Sequence, residues 1–376
     1  MEKSEETKDP PSAAPEEEEK KGDPVSKRSK QLGKIRECFV DGIKNPDSEF
    51  LHPSSTWDDE KLVLAEPILQ ALRESGYGRP SIIQAFSLPI MLRKEAPNLI
   101  AQSHNGSGKT LAFVIASLMR VDLSNKELQV LVFAHNRELV QQIYDEYARL
   151  NKHLGVEVGI LRYEDNKAPT AQLLVGIPSK VKKLMQSKKI KLDALRFIVF
   201  DEADYFFNKN DNASQVSIEL CQKFSDKVQY ALFSATYPDE VLSCIKQIVS
   251  HAKVIALEKE DLTIEGIKQL YFKTDDKVDA LKEIYKEFDN VQVIVFMNTR
   301  SFAVTLMNIL KKSGYEAKLL MGGDMSTEER DEILKQFRAG SIHFLITTNL
   351  LARGIDVDGM SFVVNFDVPF YKGKDN

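Results

Sequence analysis

The chain has 376 residues, 43% of them hydrophobic and 28% charged, with a formal net charge of -5. That length accommodates two domains of ordinary size plus a tail, and the composition is that of a soluble globular protein. No apolar run approaches a membrane span and the acidic start MEKSEETKDP is no signal peptide. The scattered Cys38, Cys221 and Cys244 lack metal-ligand spacing, which points to a reducing compartment. A net charge averaged over an acidic tail does not exclude a local basic groove.

In chain order, the first 25 residues carry Pro10, Pro11, Pro15 and the run Glu16 to Glu19, with almost nothing to bury, and are expected to be disordered. Between Ser26 and Lys44, residues Leu32, Ile35, Phe39 and Ile43 fall at helical spacing on a basic background. This predicts a small amphipathic helix, either docked on the body or a partner, or marginal and solvated. From Trp57 onward, apolar runs recur at Leu99-Ile100, Val130 to Phe133, Leu173 to Val175, Phe197 to Phe200, Ala231 to Phe233 and Val254 to Ala256. Helical stretches such as Arg137 to Leu150 lie between them. Continuous apolar strands alternating with helices imply a parallel sheet covered on both faces. The charged stretch Leu257 to Glu265 reads as a linker. The alternation then restarts at Val293 to Phe296, Ala317 to Leu320, Phe344 to Ile346 and Phe362 to Val364. The expected fold class is α/β, with two successive parallel-sheet units and ligands at the carboxyl ends of their strands.

Two strand ends carry chemistry. After Asn98-Leu99-Ile100 comes AQSHNGSGKT, Ala101 to Thr110, and then an apolar helix from Leu111 to Val121. Strand, glycine loop and helix is the arrangement a nucleoside triphosphate needs. Gly106 and Gly108 let backbone N–H groups turn to phosphate oxygens, Lys109 can reach the β/γ-phosphates, and the Thr110 hydroxyl can ligate Mg²⁺. Ser103 stands where the general pattern wants glycine. The strand Phe197 to Phe200 ends in Asp201-Glu202-Ala203-Asp204, three carboxylates in four residues. Such acids in an apolar setting are costly unless a cation or hydrogen bonds compensate. Opposite a phosphate loop, Asp201 can hold Mg²⁺ through water, and Glu202 can orient or deprotonate the attacking water.

Asp201-Glu202-Ala203-Asp204 spells the signature of the DEAD-box ATP-dependent RNA helicases, and the other blocks follow in that family's order. The stretch from Gly76 to Gln84 resembles the Q motif, with Trp57 where the family has an isolated upstream aromatic. A Gln84 amide can pair with both a donor and an acceptor on adenine, and Tyr77 offers a stacking face, which implies ATP. The ATP set implied is Tyr77, Gln84, Ser103, His104, Asn105, Gly106, Ser107, Gly108, Lys109 and Thr110, with Gly354 and Asp356 from the second half. Glu202, Asp201 and Lys109 are the implied catalytic residues, and Thr110 and Asp201 the Mg²⁺ residues. His135-Asn136-Arg137-Glu138-Leu139 resembles the family's Pro-Thr-Arg-Glu-Leu block, with His-Asn in place of Pro-Thr. Gly176-Ile177-Pro178-Ser179-Lys180 stands where Thr-Pro-Gly-Arg is expected. Lys180 keeps the charge without arginine's planar fork, so RNA contacts here are expected to be weaker. Ser234-Ala235-Thr236 matches the block linking the nucleotide site to strand separation, and Asp204, Ser234 and Thr236 are the implied coupling residues. Val295-Phe296-Met297-Asn298-Thr299-Arg300 resembles motif IV, Thr327 to Arg330 a Gln-x-x-Arg block with Thr in place of Gln, and Thr347 to Asp356 motif V. The implied RNA set is Arg137, Pro178, Lys180, Arg300, Thr347 and Arg353. Asn45 to Phe50, Asn349 and the segment Asn365 to Pro369 resemble the mRNA-export branch, which acts at the cytoplasmic face of nuclear pores.

Family members continue to a His-Arg-Ile-Gly-Arg-x-Gly-Arg block, whereas this chain ends at Asn376. The sequence therefore reads as a fragment or a naturally short protein, with turnover expected to suffer from the missing arginines. The expected organisation is an N-terminal extension over 1–50, a RecA-like ATP-binding domain over 51–257, a linker over 258–266 and an incomplete RecA-like domain over 267–376. The expected activity is RNA-stimulated ATP hydrolysis coupled to unwinding or mRNP remodelling. The alternatives are a non-hydrolysing ATP-dependent RNA clamp and, more remotely, a DNA helicase of a sister family. Expected partners are single-stranded or duplex RNA without sequence readout, nuclear-pore proteins and an activating factor. A monomer is expected, without membrane insertion, in cytoplasm and nucleus and at the nuclear pore.

Overall fold

The computed structural model describes residues 38–40, 43–44, 55–162, 164–208, 212–224, 228–257, 268–287, 291–321, 325–348 and 362–368. Two parallel sheets organise them, as the alternation of apolar runs and helices predicts. The first is built on seven parallel strands: β3 (Leu99–Gln102), β4 (Val130–Phe133), β5 (Val158–Leu161), β6 (Leu173–Gly176), β7 (Phe197–Asp201), β8 (Gln229–Ser234) and β9 (Lys253–Leu257). With β1 (Cys38–Val40) and β2 (Ile43–Lys44) the strand order is β2-β1-β9-β3-β8-β7-β4-β6-β5. The second sheet is β11-β12-β10-β13, formed by β10 (Val293–Phe296), β11 (Ala317–Leu320), β12 (Phe344–Thr347) and β13 (Phe362–Asn365), all parallel.

Alternate residues of each central strand enter opposite cores, which is why these strands are apolar throughout. On one face of the first sheet, Leu99, Ala101, Val130, Val132, Phe197, Val199, Ala231 and Phe233 pack in one core. Helices α1 (Glu66–Glu74), α2 (Ile82–Met91), α3 (Lys109–Arg120) and α4 (Arg137–Leu150) cover it. On the other face, Ile100, Leu131, Phe133, Ile198, Phe200, Tyr230 and Leu232 pack under α5 (Pro178–Gln186), α6 (Ala203–Phe206), α7 (Asn212–Phe224) and α8 (Asp239–Ile248). The second sheet repeats the scheme. Val293, Val295, Phe344 and Ile346 face α9 (Lys277–Glu287) and α10 (Arg300–Lys312), and Ile294 and Leu345 face Leu334 and Phe337 of α11 (Thr327–Arg338). Cys221 and Cys244 are buried in the first sheet's second core and are not joined in a disulfide.

The N-terminal expectation needs correction. In place of an amphipathic helix ending at Lys44, Cys38–Val40 and Ile43–Lys44 are strands, with β1 antiparallel to β9 through Phe39↔Ala256. A sheet edge offers a ladder of unpaired backbone groups, and pairing along it outweighs a marginal local helical periodicity. Residues 1–37 and the expected linker over 258–266 lie outside the described residues.

Strand order decides what meets at the carboxyl edge. Register pairs Gln102 with Ser234 and Asp201 with Phe233, so the loops after β3, β8 and β7 leave from three neighbouring strand ends. Those after β4 and β6 follow in the same row. The residue before β3 pins this arrangement. The Asn98 Oδ1 accepts the Tyr230 N–H at 2.7 Å, its Nδ2 donates to Ser250 O at 2.9 Å, and its carbonyl accepts the Lys253 N–H at 2.8 Å. Asn98→Ala leaves the N–H of the buried Tyr230 without this acceptor. Chemical denaturation is expected to show a loss of about 1–3 kcal/mol, and an unchanged midpoint would contradict this role.

Candidate functional site

The glycine loop turns where its sequence permits. Gly106 has φ 76° and Gly108 φ 94°, left-handed values that side chains resist. A Cβ on Gly108 would also lie 2.4 Å from the Gln84 Nε2, so the loop and the Q-like segment touch where only glycine fits. Gln84 is 3% exposed. Its Oε1 accepts the Ser81 N–H at 2.7 Å and its Nε2 donates to Gly108 O at 2.9 Å. Each end of the amide expected to read adenine thus makes one bond to the protein itself, leaving one lone pair and one N–H. The Tyr77 hydroxyl donates to Glu146 Oε1 at 2.9 Å and accepts from Arg149 at 3.1 Å, while its carbonyl accepts the buried Trp57 indole N–H at 2.9 Å. The Q-like segment is therefore bolted to α4 as well as to the glycine loop.

Lys109 lies folded into its own loop. Its Nζ donates to Ser103 O at 2.8 Å and His104 O at 3.0 Å, with Asn105 Oδ1 at 3.5 Å, and the Ser103 and Ser107 hydroxyls are 2.7 Å apart. Burial pulls the Lys109 ammonium below its ordinary pKa, while the carboxylates of Asp201, Glu202 and Asp204 oppose that pull. Thr110 follows on the first turn of α3, half-buried.

Across from the loop, Asp201 is 4% exposed at the end of β7, and its Oδ1 accepts the Glu202 N–H at 3.1 Å. Burial first, and then the neighbouring Glu202 carboxylate, push the Asp201 carboxyl up to about 7. Glu202 has φ 53°, a left-handed residue that swings the chain into α6. Asp204 faces the end of β8, where its Oδ1 accepts from the Ser234 hydroxyl at 2.8 Å and its Oδ2 from the Thr236 hydroxyl at 3.1 Å. Gln102 adds a bond from Nε2 to Ala235 O at 3.3 Å, and the Ser103 N–H donates to Ser234 O at 3.1 Å. Sequence reading missed the Gln102 contact, whose only signal is its place at the end of the glycine-loop strand. Acids clustered around a buried lysine, with a hydroxyl on the facing helix, form a donor set suited to a hard divalent cation. Among the described residues no group of three or more His, Cys, Asp or Glu is placed to hold a metal ion by itself alone, so the ion's water shell and the substrate's phosphates would have to supply most of its ligands.

Further along the edge, Asn136 caps α4, its Oδ1 accepting the Leu139 N–H at 2.7 Å. Arg137 is exposed and pairs with Asp331 of α11 at 3.0 Å, a contact that no local pattern signals. Pro178 and Lys180 are buried, Lys180 to 3% exposure. Arg300 is exposed at the start of α10. Beside it, the Asn298 N–H donates to Asp367 Oδ2 at 3.0 Å, and Asp367 also pairs with Lys277 at 3.2 Å. Thr347 is wholly buried, its hydroxyl donating to Leu320 O at 2.8 Å. Lys180 and Thr347 are thus both taken into the packing around α5 and β12. Arg353, Gly354 and Asp356 lie outside the described residues.

The Asp201 shift gives a stability signature. An unfolded Asp201 ionises near 3.8 and the folded one near 7, so the folded state holds the extra proton between these values. Stability of the Mg²⁺-free, nucleotide-free protein is therefore fullest below that window and falls as pH rises through it. Asp201→Asn should remove this slope, making the variant the more stable of the two at about pH 8 and equal to the parent at about pH 4. Denaturation curves across that range check it, and parallel pH profiles would contradict it.

Comparison with known proteins accords with this geometry. Residues 81–244 match the DEAD/DEAH box helicase family, and residues 276–376 match the helicase conserved C-terminal domain. The chain is 35% identical over 317 residues to the ATP-dependent RNA helicase DBP5 of Phaeosphaeria nodorum, covering 82% of this chain and 67% of that one. It is 34% identical over 341 residues to the protein of the same name from Saccharomyces cerevisiae, covering 89% and 70%. Among solved structures, S. cerevisiae Dbp5 bound to RNA and ADP BeF3 gives a TM-score of 0.78 at 35% identity, covering 83% of this chain and 81% of that one. A variant of the same yeast protein bound to gle1 and IP6 gives 0.68 at 33% identity, covering 85% and 81%. Matching in sequence across both sheets and in structure over most of its length, the chain belongs to the DEAD-box family of ATP-dependent RNA helicases.

Proposed function

We propose that this chain couples ATP binding and hydrolysis to local RNA unwinding or mRNP remodelling in mRNA export. The observation that carries the coupling is Asp204, whose two carboxylate oxygens hold the Ser234 and Thr236 hydroxyls. A change at the carboxylate turn is thereby felt at the end of β8. In this reading Ser103 to Thr110 cradle the phosphates, and Lys109 leaves the Ser103 and His104 carbonyls for the β/γ-phosphates. Thr110 and Asp201 would hold Mg²⁺, largely through water, and the ion would supply neutralisation of the charge that develops on the transferred phosphoryl group. Glu202 orients the attacking water and accepts its proton. Adenine recognition by Gln84 uses the lone pair and the N–H that its bonds to Ser81 and Gly108 leave, with Tyr77 packing alongside. Gly354 and Asp356 complete the site from the second domain.

RNA crosses both domains on its phosphates, without sequence readout. Arg137 and Arg300 are the exposed cations suited to it, and Arg353 is proposed alongside them. Pro178, Lys180 and Thr347 shape the track from beneath. Yeast Dbp5 occurs in structures bound to RNA, and in others with gle1 and IP6 or with nup159 as well. These support RNA, nuclear-pore proteins and an activating factor as partners of this chain, and a working place at the nuclear pore between nucleus and cytoplasm, as a monomer.

ATP turnover with and without RNA tests the proposal. RNA should raise the rate, and Glu202→Gln should lower kcat by about 10²- to 10⁴-fold with little change in the KM for ATP. Joint binding of ATP and RNA without turnover would replace this reading with that of a clamp. Ser234→Ala combined with Thr236→Ala should retain most ATP turnover yet cut duplex unwinding by about tenfold or more, since each hydrogen bond to a charged acceptor is worth about 1.5–3 kcal/mol. Equal loss of both activities would count against the coupling role.

A further inference from the structure

The family's Pro-Thr positions before Arg137 are His135 and Asn136 here, and the structure gives both a specific task. Strands β4 and β7 are neighbours, with Phe133 opposite Phe200, so the segments that follow them leave the same edge side by side. Tyr205 follows Asp204 directly, and its ring centroid lies 4.9 Å from that of His135, at an interplanar angle of 41°. On its other side Tyr205 meets Phe206 edge-on at 5.4 Å. His135 Nε2 lies 3.1 Å from Asn136 Nδ2. The direction of that bond follows from the cap. The Leu139 N–H can only donate, so the Asn136 atom 2.7 Å from it is the amide oxygen. The other amide atom is then a nitrogen, which can only donate, and His135 Nε2 must accept.

These contacts form an unbroken path. Asp204 holds the Ser-Ala-Thr turn, Tyr205 leans on His135, His135 orients the Asn136 amide, and Asn136 caps the helix whose first residue is Arg137. Proline at position 135 could neither accept that hydrogen bond nor present an aromatic ring, so the path belongs to this chain rather than to the family's usual block. We infer that His135 is a positioning residue: it ties the first turn of α4, and hence Arg137, to the carboxylate turn, and so sets how tightly RNA is held when the nucleotide site changes state. The inference rests on the proposed RNA-dependent function.

The test is a double-mutant cycle on the full chain, read as the affinity for a fluorescent oligouridylate in the presence of Mg²⁺, ADP and beryllium fluoride. Tyr205 is partly exposed and His135 half-buried, so neither substitution opens the core. His135→Ala and Tyr205→Ala should each weaken RNA binding by about three- to tenfold, the equivalent of an aromatic pair contact. The double variant should be no weaker than the worse single, Tyr205→Phe should bind like the parent, and His135→Gln, which keeps an acceptor without the ring, should fall between. Nucleotide affinity in the absence of RNA should stay unchanged throughout. Multiplying losses in the double variant, or losses confined to nucleotide affinity, would overturn the positioning role alone. A parent chain that binds no RNA would overturn the functional reading and this inference together.

Discussion

Three carboxylates at the end of one buried strand set the terms for everything around them. Asp201, Glu202 and Asp204 sit where β7 leaves the sheet, and their mutual repulsion adds to the cost of burying Asp201. The chain answers that cost in three ways. A left-handed Glu202 turns the backbone so that its own N–H reaches Asp201. Two hydroxyls from β8 satisfy Asp204. Lys109 brings positive charge from the facing loop. None of this balances the cluster as a dication would, and the strand order β3-β8-β7 looks necessary because it sets all three answers beside the problem.

The same arrangement gives the resting glycine loop its character. Lys109 is bound to the carbonyls of its own loop, and Gln84 is bound to the loop's Gly108 carbonyl. In the proposed reading these are groups that a nucleotide would meet, so binding becomes an exchange of hydrogen bonds at Lys109 rather than a simple gain. Affinity then depends on how readily the loop gives up those bonds. Because Gln84 sits on α2 and Tyr77 is bonded to α4, a change at the loop is placed to reach the helix that begins with Arg137. On the far side, the Arg137–Asp331 pair joins that same helix to α11 of the second sheet.

Much of this was legible in the chain. The apolar runs from Val130, Val293 and Ala317 coincide with β4, β10 and β11, and the apolar stripe from Arg137 to Leu150 coincides with α4, because fully buried strands and one-sided helices write themselves in periodicity. The half-exposed edge strand β5, interrupted by Gly159, left no such trace. The β1 and β9 pairing was hidden for a different reason, since it depends on a sheet edge supplied 200-odd residues later in the chain. At the site, motif order identified the glycine loop, the carboxylate turn and Ser234 to Thr236. Motif order cannot report side-chain direction, so the burial of Lys180 and Thr347 and the internal bonding of Gln84 emerge only from packing. The meeting of His135 with Tyr205 likewise needs strand order, because nothing local links residues 70 apart.

If the carboxylate turn is a site completed by a dication and a nucleotide together, stabilisation by ATP must depend on the metal. Thermal unfolding with ATP in excess Mg²⁺, against ATP in excess chelator, measures this directly, since a ligand bound only to the folded state raises the melting temperature by an amount that grows with the logarithm of its concentration over its Kd. The account predicts a clear upward shift with Mg²⁺ that is largely lost with chelator, and lost with Mg²⁺ as well in Asp201→Ala. Equal shifts with and without the metal would show that the cluster is satisfied by Lys109 and its hydroxyl partners alone, and would contradict the account.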